Sequence, residues 1–297
     1  MTASLTSRKN SGILQKNCLC KIDFMTDLKA IINGSLINKQ DAVLHINDLS
    51  IERGYAVFDY FKTVNGKPIF WEDNLDRFFY SAKCMRLEIE QSREELKNLI
   101  LQLMNANNIA DSGIKLLLTG GYSNDGYSIT KPNLIITQQS QKRNEAAEMN
   151  GLRLVTYEYQ RQLPHVKTID YLMGILTQPY VKEKNADDVL YKQNGCITEC
   201  PRSNIFIVTK DERILTPEKN VLHGITRKHV LQIASTGFKT ETRDISVEEL
   251  HNAREVFVTS TSKNITPILS TDKITYSSVT GTITKYLQSK LNKLIYG

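Results

Sequence analysis

The 297-residue sequence predicts an α+β, mixed α/β fold in two domains: a small N-terminal α+β domain over residues 25–140 and a larger C-terminal α/β domain over 151–297. Three observations lead there. Asn-Gly pairs at Asn33-Gly34 and Asn65-Gly66 each lie between apolar β-rich runs, which is a hairpin signal. Apolar residues recur at spacings of two in some segments and of three and four in others, so strands and helices share the chain. Residues 141–150, QKRNEAAEMN, are polar without an apolar period and read as the linker.

Residues 1–24 lack periodicity, and they lack the long apolar core and small-residue cleavage site of a secretory signal. They read as a disordered extension or an upstream-start artefact. KAIINGSLI and VFDYFKTVNGKPIFW then predict hairpins, and AVLHI (42–46) a short strand between them. EDNLDRFFYSAKCMRL predicts a helix with acids in its first turn and Leu75, Phe78, Phe79 and Ala82 on one face. SREELKNLILQLMNANN predicts another, with Ser92 as N-cap and Glu95 completing a capping box. IKLLLTGGY and NLIITQ read as strands. Beyond the linker, LRLVTYE reads as a strand, and Ile169, Leu172, Met173, Leu176 and Tyr180 predict a helix opening near Lys167. Pro179 should kink or end it. DVLYK, NIFIV, EVFVTS and ITPIL read as strands, GITRKHVLQIA as a helix, and a last helix starts near Thr282.

Composition narrows the function classes. The chain is 40% hydrophobic and 24% charged, as expected for a globular protein. No apolar run approaches the roughly 20 residues of a membrane helix. The net charge of +6 is spread without a basic stripe, which argues against nucleic acid and fits anionic small molecules. The five cysteines (Cys18, Cys20, Cys84, Cys196, Cys200) are odd in number and lack metal-ligand spacing; they read as reduced thiols in a cytoplasm.

Five stretches carry chemistry. HVKTIDYLMGIL presents Lys167, the only Lys or Arg between Arg161 and Lys182. YKQNGCITECPRSNIFIV holds Glu199 between two strand-like runs. VLHGITRKHV places Gly224, Ile225 and Thr226 at a helix start. EVFVTSTSKNITPI empties a strand into a hydroxyl-rich turn, Thr259 to Ser262, and NLDRFF puts Arg77 in the first helix. In this order and spacing they resemble the fold-type IV family of pyridoxal-phosphate enzymes, from about Ile31 to the C-terminus. That family includes D-amino-acid aminotransferases, branched-chain aminotransferases and aminodeoxychorismate lyases, and the resemblance implies the two-domain D-amino-acid aminotransferase-like fold, with residues 151–297 as the cofactor-binding domain. It implies pyridoxal 5'-phosphate as cofactor and Lys167 as its Schiff-base lysine, whose amine must be neutral to move a proton. Glu199 would face the pyridine nitrogen. The backbone at Gly224, Ile225 and Thr226, the donors of Ser260 and Thr261, and Arg77 would hold the phosphate. Tyr171 would meet the ring oxygen O3′. A homodimer is implied, the small domain of one subunit helping to close the other's site.

Two departures bear on substrate. RGYAVFDYFKT carries Phe58, Asp59 and Tyr60 where the family often has a Gly-Asp-Gly step. TGGYSNDGYS contains neither the Arg nor the His of the P-R-x-H carboxylate trap usual in D-amino-acid aminotransferases. A carboxylate still needs a cation, and Arg53 and Lys115 are the candidates, with Arg202 of CPRSN a further one on the substrate side. The expected activity is transamination between an amino acid and a 2-oxo acid, leaning to D-amino acids because RGYAVFDYF and GGYSNDGY resemble a subgroup of D-amino-acid transaminase-like proteins. The alternatives are a branched-chain L-amino-acid aminotransferase and an aminodeoxychorismate lyase. The intact pair Lys167 and Glu199 argues against a non-catalytic binding protein.

Overall fold

The computed structural model describes residues 28–143 and 145–297. The expectation for residues 1–24, with Cys18 and Cys20, lies outside the described residues. The first sheet opens with the hairpin β1 (Lys29–Ile32) and β2 (Ser35–Asn38). Its turn residues Asn33 and Gly34 have φ of +49° and +83°, the left-handed pair that a type I′ turn needs. A short helix α1 (Leu49–Glu52) follows, capped by Asp48, whose carboxylate accepts from Ser50 N–H at 2.8 Å. Strands β3 (Ala56–Val64) and β4 (Lys67–Pro68) turn at Asn65-Gly66. Helices α2 (Trp71–Cys84) and α3 (Arg93–Asn107) come next, the second with the expected Ser92–Glu95 capping box, and β5 (Ser112–Thr119) and β6 (Leu134–Ser140) complete the sheet. The order is β2-β1-β6-β5-β3-β4, antiparallel throughout. Leu75, Phe78, Leu96 and Ile100 of the helices bury against Phe61, Ile114 and Ile136 of the strands.

The second sheet is built from β7 (Leu152–Glu158), β8 (Asp188–Gln193), β9 (Cys196–Ile197), β10 (Glu199–Cys200), β11 (Ser203–Val208), β12 (Ile214–Thr216), β13 (Thr240–Thr242), β14 (Ile245–Ser246), β15 (Glu255–Ser260), β16 (Asn264–Thr271) and β17 (Ile274–Thr275). Helices α4 (Glu145–Asn150), α5 (Leu172–Leu176), α6 (Gln178–Glu183), α7 (Ile225–Ala234), α8 (Val247–His251) and α9 (Thr282–Tyr296) interrupt it. The main path runs β13-β12-β11-β15-β16-β7-β8-β9-β14, with β10 on β11 and β17 on β16. Parallel pairs β12/β13, β16/β7 and β7/β8 sit among antiparallel ones, which gives the mixed character expected. Val230 and Ala234 of α7 and Leu287 and Leu291 of α9 pack on Phe206, Phe257 and Ile265. No helix among the described residues is long and apolar enough to cross a membrane.

Three expectations change. Residues 42–46 form no strand, and Val43 and Ile46 are exposed, so alternation alone did not make a ladder. Within the polar 141–150 segment α4 forms, held by Glu148, which is 7% exposed and accepts from Asn264 Nδ2 at 2.7 Å and from Arg143 at 2.7 Å. Lys167 is not at a helix start. It lies on an extended segment whose backbone pairs with β3: Phe58 N–H donates to Lys167 O at 2.9 Å, and Thr168 bridges Val57. The helix begins only at Leu172, and Leu172, Ile175 and Leu176 face outward instead of covering the lysine. Pro179 sits in the first turn of α6, so the pattern does break there.

Candidate active site

The pairing of the Lys167 segment with β3 brings the two sheets together, and a cavity of about 500 Å³ opens at that junction. Its walls come from both sheets: Phe58 and Tyr60 of β3, Arg77 of α2 and Lys115 of β5 on one side, the 161–171 segment, 199–204, the start of α7 and the Thr259–Ser262 turn on the other. The volume lies within the roughly 300–1,000 Å³ of small-molecule and cofactor sites. Five basic side chains line it (Arg77, Lys115, Arg161, Lys167, Arg202) against one carboxylate, Glu199, so the cavity suits an anion.

Lys167 lies deep in the protein with its Nζ 4.5 Å from the centre of the Phe58 ring. Burial, reinforced by the Arg77 charge, lowers its pKa to about 7. Glu199, on the two-residue strand β10 paired to β11, is almost wholly buried. Burial raises its pKa, opposed by Arg161, whose Nε donates to Oε1 at 3.0 Å, and by Leu222 N–H, which donates to Oε2 at 2.9 Å. Arg161 was not among the candidates drawn from the sequence. Its signal was slight: it merely marked the upstream limit of the lysine's stretch, and its role depends on the loop folding back, which its own donation to Pro164 O at 2.7 Å helps fix.

At the other end Gly224 caps α7 with no side-chain hydrogen bond, so the first amides of the helix, at Ile225 and Thr226, have no capping partner. A Cβ on Gly224 would collide with Asn204 Oδ1. Thr168 Oγ1, Ser203 Oγ and Thr259 Oγ1 line the cavity, buried and without a hydrogen-bond partner among the described residues. Buried hydroxyls of this kind fit a polar ligand that completes them. Arg77 reaches the same cavity, but its Nε and Nη2 are spent on the buried Asp59 carboxylate at 2.8 and 2.9 Å, which leaves Nη1 without a partner among the described residues. Ser260, Thr261 and Tyr171 line the wall as well, and burial raises the Tyr171 pKa.

The substrate-side cations divide. Lys115 lines the cavity with its Nζ 5.3 Å from the Phe58 ring centre, and burial lowers its pKa. Arg202 also lines it and makes no ion pair among the described residues. Arg53 is not in the wall of its own chain's cavity: it is exposed, donates to Glu52 O at 2.9 Å, and lies beside the loop at Gly126. Arg53 and Lys115 therefore do not meet in one cavity within the chain, and Gly54, with φ of +65°, turns the chain between Arg53 and β3.

A sequence model of the family described as amino-transferase class IV matches residues 56–271. The chain belongs to the class IV aminotransferases. A curated D-alanine aminotransferase of Staphylococcus haemolyticus is 31% identical over 90% of this chain and 98% of its own length. Among solved structures, the branched-chain aminotransferase from Thermoproteus uzoniensis with norvaline superposes with a TM-score of 0.82 at 24% identity, covering 90% of this chain and 94% of its own. A hypothetical aminotransferase from Mycobacterium tuberculosis in its PLP-bound form gives 0.78 at 19% identity, with 90% and 98% covered. A class IV aminotransferase uses pyridoxal 5'-phosphate, and the residues around this cavity fit that cofactor: a deep amine of lowered pKa, a carboxylate kept in company with a guanidinium, free helix amides and unpartnered hydroxyls.

Proposed function

We propose that this class IV aminotransferase moves an amino group between a D-amino acid and a 2-oxo acid, as a cytoplasmic homodimer. The observation that carries the D reading is the 31% identity to a D-alanine aminotransferase along nearly the whole of both chains. Pyridoxal phosphate, when bound, supplies the aldehyde that receives the amino group and the ring that takes up the electron pair left at the donor's Cα. Lys167 would anchor it, and its amine would accept the proton from Cα; a pKa of about 7 leaves about half of the amine neutral at neutral pH. Glu199, its negative charge favoured by Arg161 and Leu222 N–H, would face the pyridine nitrogen and favour its protonation. The amides of Ile225 and Thr226 after Gly224, the donors of Ser260 and Thr261, and Nη1 of Arg77 hold the phosphate. Tyr171, in the cavity wall, would hydrogen-bond the ring oxygen O3′. Lys115 and Arg202, both in the wall, orient the substrate carboxylate, and Arg53 serves the site of a second copy.

Visible absorbance of the pyridoxal-phosphate-loaded protein tests this. The cofactor band should be bleached by D-alanine and left unchanged by L-leucine, and Arg202→Ala should raise the D-alanine KM about tenfold or more, the loss of a charge-assisted contact. Bleaching by L-leucine alone would transfer the protein to branched-chain transamination. Pyruvate released from aminodeoxychorismate without an added 2-oxo acid would mark a lyase. A protein that develops no band would remove Lys167 from its assigned role.

A further inference from the structure

A second cavity, of about 190 Å³, shares Ser262 with the first. Three cations, Lys62, Lys142 and Arg143, line it against one acid, Asp111. Lys62 of β3 is only 7% exposed and has no carboxylate within ion-pairing distance among the described residues. Its Nζ donates to Asn264 Oδ1 and, at 3.2 Å, to Tyr296 OH, which occupies two of its three N–H groups. The nearby acid Glu148 is reached through the Asn264 amide, at 2.7 Å from Nδ2, and is already taken by Arg143 at 2.7 Å. Burial lowers the Lys62 pKa to about 8 even though Glu148 pulls the other way. A buried ammonium with a spare donor and no counter-ion is unfavourable until an anion joins it.

We propose that this cavity binds a small oxyanion, a carboxylate or a phosphate, held between Lys62 and Lys142, beside Arg143, whose guanidinium is paired with Glu148 and Glu145. The volume corresponds to about six waters, room for phosphate or a short-chain carboxylate and too little for a nucleotide. Five segments meet around it: β3 through Lys62, the stretch before β5 through Asp111, the stretch after β6 through Lys142 and Arg143, the hydroxyl turn through Ser262, and the last turn of α9 through Tyr296. An anion there ties the first sheet to the turn that faces the catalytic cavity, so binding stabilises the fold by mass action.

The experiment titrates inorganic phosphate, and separately succinate, into protein saturated with pyridoxal phosphate, so that the cofactor's own phosphate fills the α7 end. Heat of binding and melting temperature are followed, with the visible spectrum reporting cofactor occupancy independently. Saturable binding accompanied by a raised melting temperature is expected. It should weaken about tenfold in Lys142→Glu, an exposed position that leaves folding intact, and disappear in Lys62→Met. It should be unchanged in the charge-matched control Lys210→Glu, on the exposed turn between β11 and β12. Binding of phosphate only, or of succinate only, identifies the source of the oxyanion. Absence of saturable binding by either probe, or binding indifferent to Lys142→Glu, overturns the site.

Discussion

In the proposed function a single amine carries most of the chemistry. Lys167 is depressed to about 7 from an ordinary value of 10.5 because the surrounding protein and Arg77 both penalise its charge. The sign follows directly: between those values the unfolded chain holds the proton and the folded chain does not, so the cost of charging Lys167 in the fold is full below about pH 7 and is relieved as pH rises toward 10.5. In the role proposed for Lys167, the neutral amine would be the nucleophile that captures the cofactor. Capture by apoprotein should therefore quicken about tenfold per pH unit up to roughly pH 7 and then level off, as stopped-flow absorbance would record. A rate still climbing tenfold per unit at pH 9 would mean an ordinary, solvated lysine. Lys167 and Glu199 could be singled out from the sequence because the proposed chemistry demands an amine and a carboxylate in a recognisable setting, and both line one cavity. Arg161 could not, because nothing local distinguishes an arginine that salt-bridges Glu199, 38 residues away in the chain, from one in solvent. Arg53 does not line the cavity of its own chain, because its direction is set by backbone geometry that the letters do not show.

Elements whose stabilisation is local were readable, and those stabilised from outside were not. The Asn-Gly hairpins and the Ser92–Glu95 box are closed by their own neighbours. Helix α4 depends on Glu148 meeting Asn264, 116 residues later, and so passed for a linker. The apolar spacing after Lys167 did mark helices, yet their exposed face and late start depend on the preceding segment being drawn into register with β3. The start of α7 shows the same interplay. Asn204 of β11 donates to Leu222 O at 2.7 Å and thereby sets the turn that delivers Gly224, and the absence of a side chain there lets Asn204 stay. Gly224→Ala forces the Asn204 amide away and moves the amides of Ile225 and Thr226. Cofactor affinity should fall about tenfold, some 1.4 kcal/mol, in a fluorescence titration of apoprotein. The apoprotein should lose only about 1 kcal/mol of stability, the net value of one hydrogen bond. Equal losses in the two would mean that Gly224 serves the fold and not the phosphate.

At the scale of the whole molecule, the cavity is assembled where two sheets meet, and an apolar surface is left beside it. Leu172, Ile175 and Leu176 are 71%, 70% and 62% exposed, a few residues after the lysine that lines the site. Val43, Ile46, Ile51 and Tyr127 are exposed on the first-sheet side, near the turn that carries Arg53. Exposed apolar side chains mark an interface where they adjoin in a patch, and a stable interface covers roughly 1,200–2,000 Å² in total. A second copy seated on them would also explain why Arg53 is absent from its own cavity: the residue is displayed outward, where a neighbour can use it. Sedimentation equilibrium should therefore give twice the chain mass. The double variant Ile175→Glu with Leu176→Glu should give a monomer, since two buried carboxylates cannot be paired across an apolar contact. That monomer should keep its circular dichroism, because both residues are exposed in the chain itself, while the D-alanine KM rises as Arg53 of the neighbour is withdrawn. Arg53→Ala in the intact dimer should reproduce the KM change without the change in mass. A wild-type monomer at enzymatic working concentration would remove the homodimer and the role of Arg53 together, leaving Lys115 and Arg202 to orient the carboxylate alone.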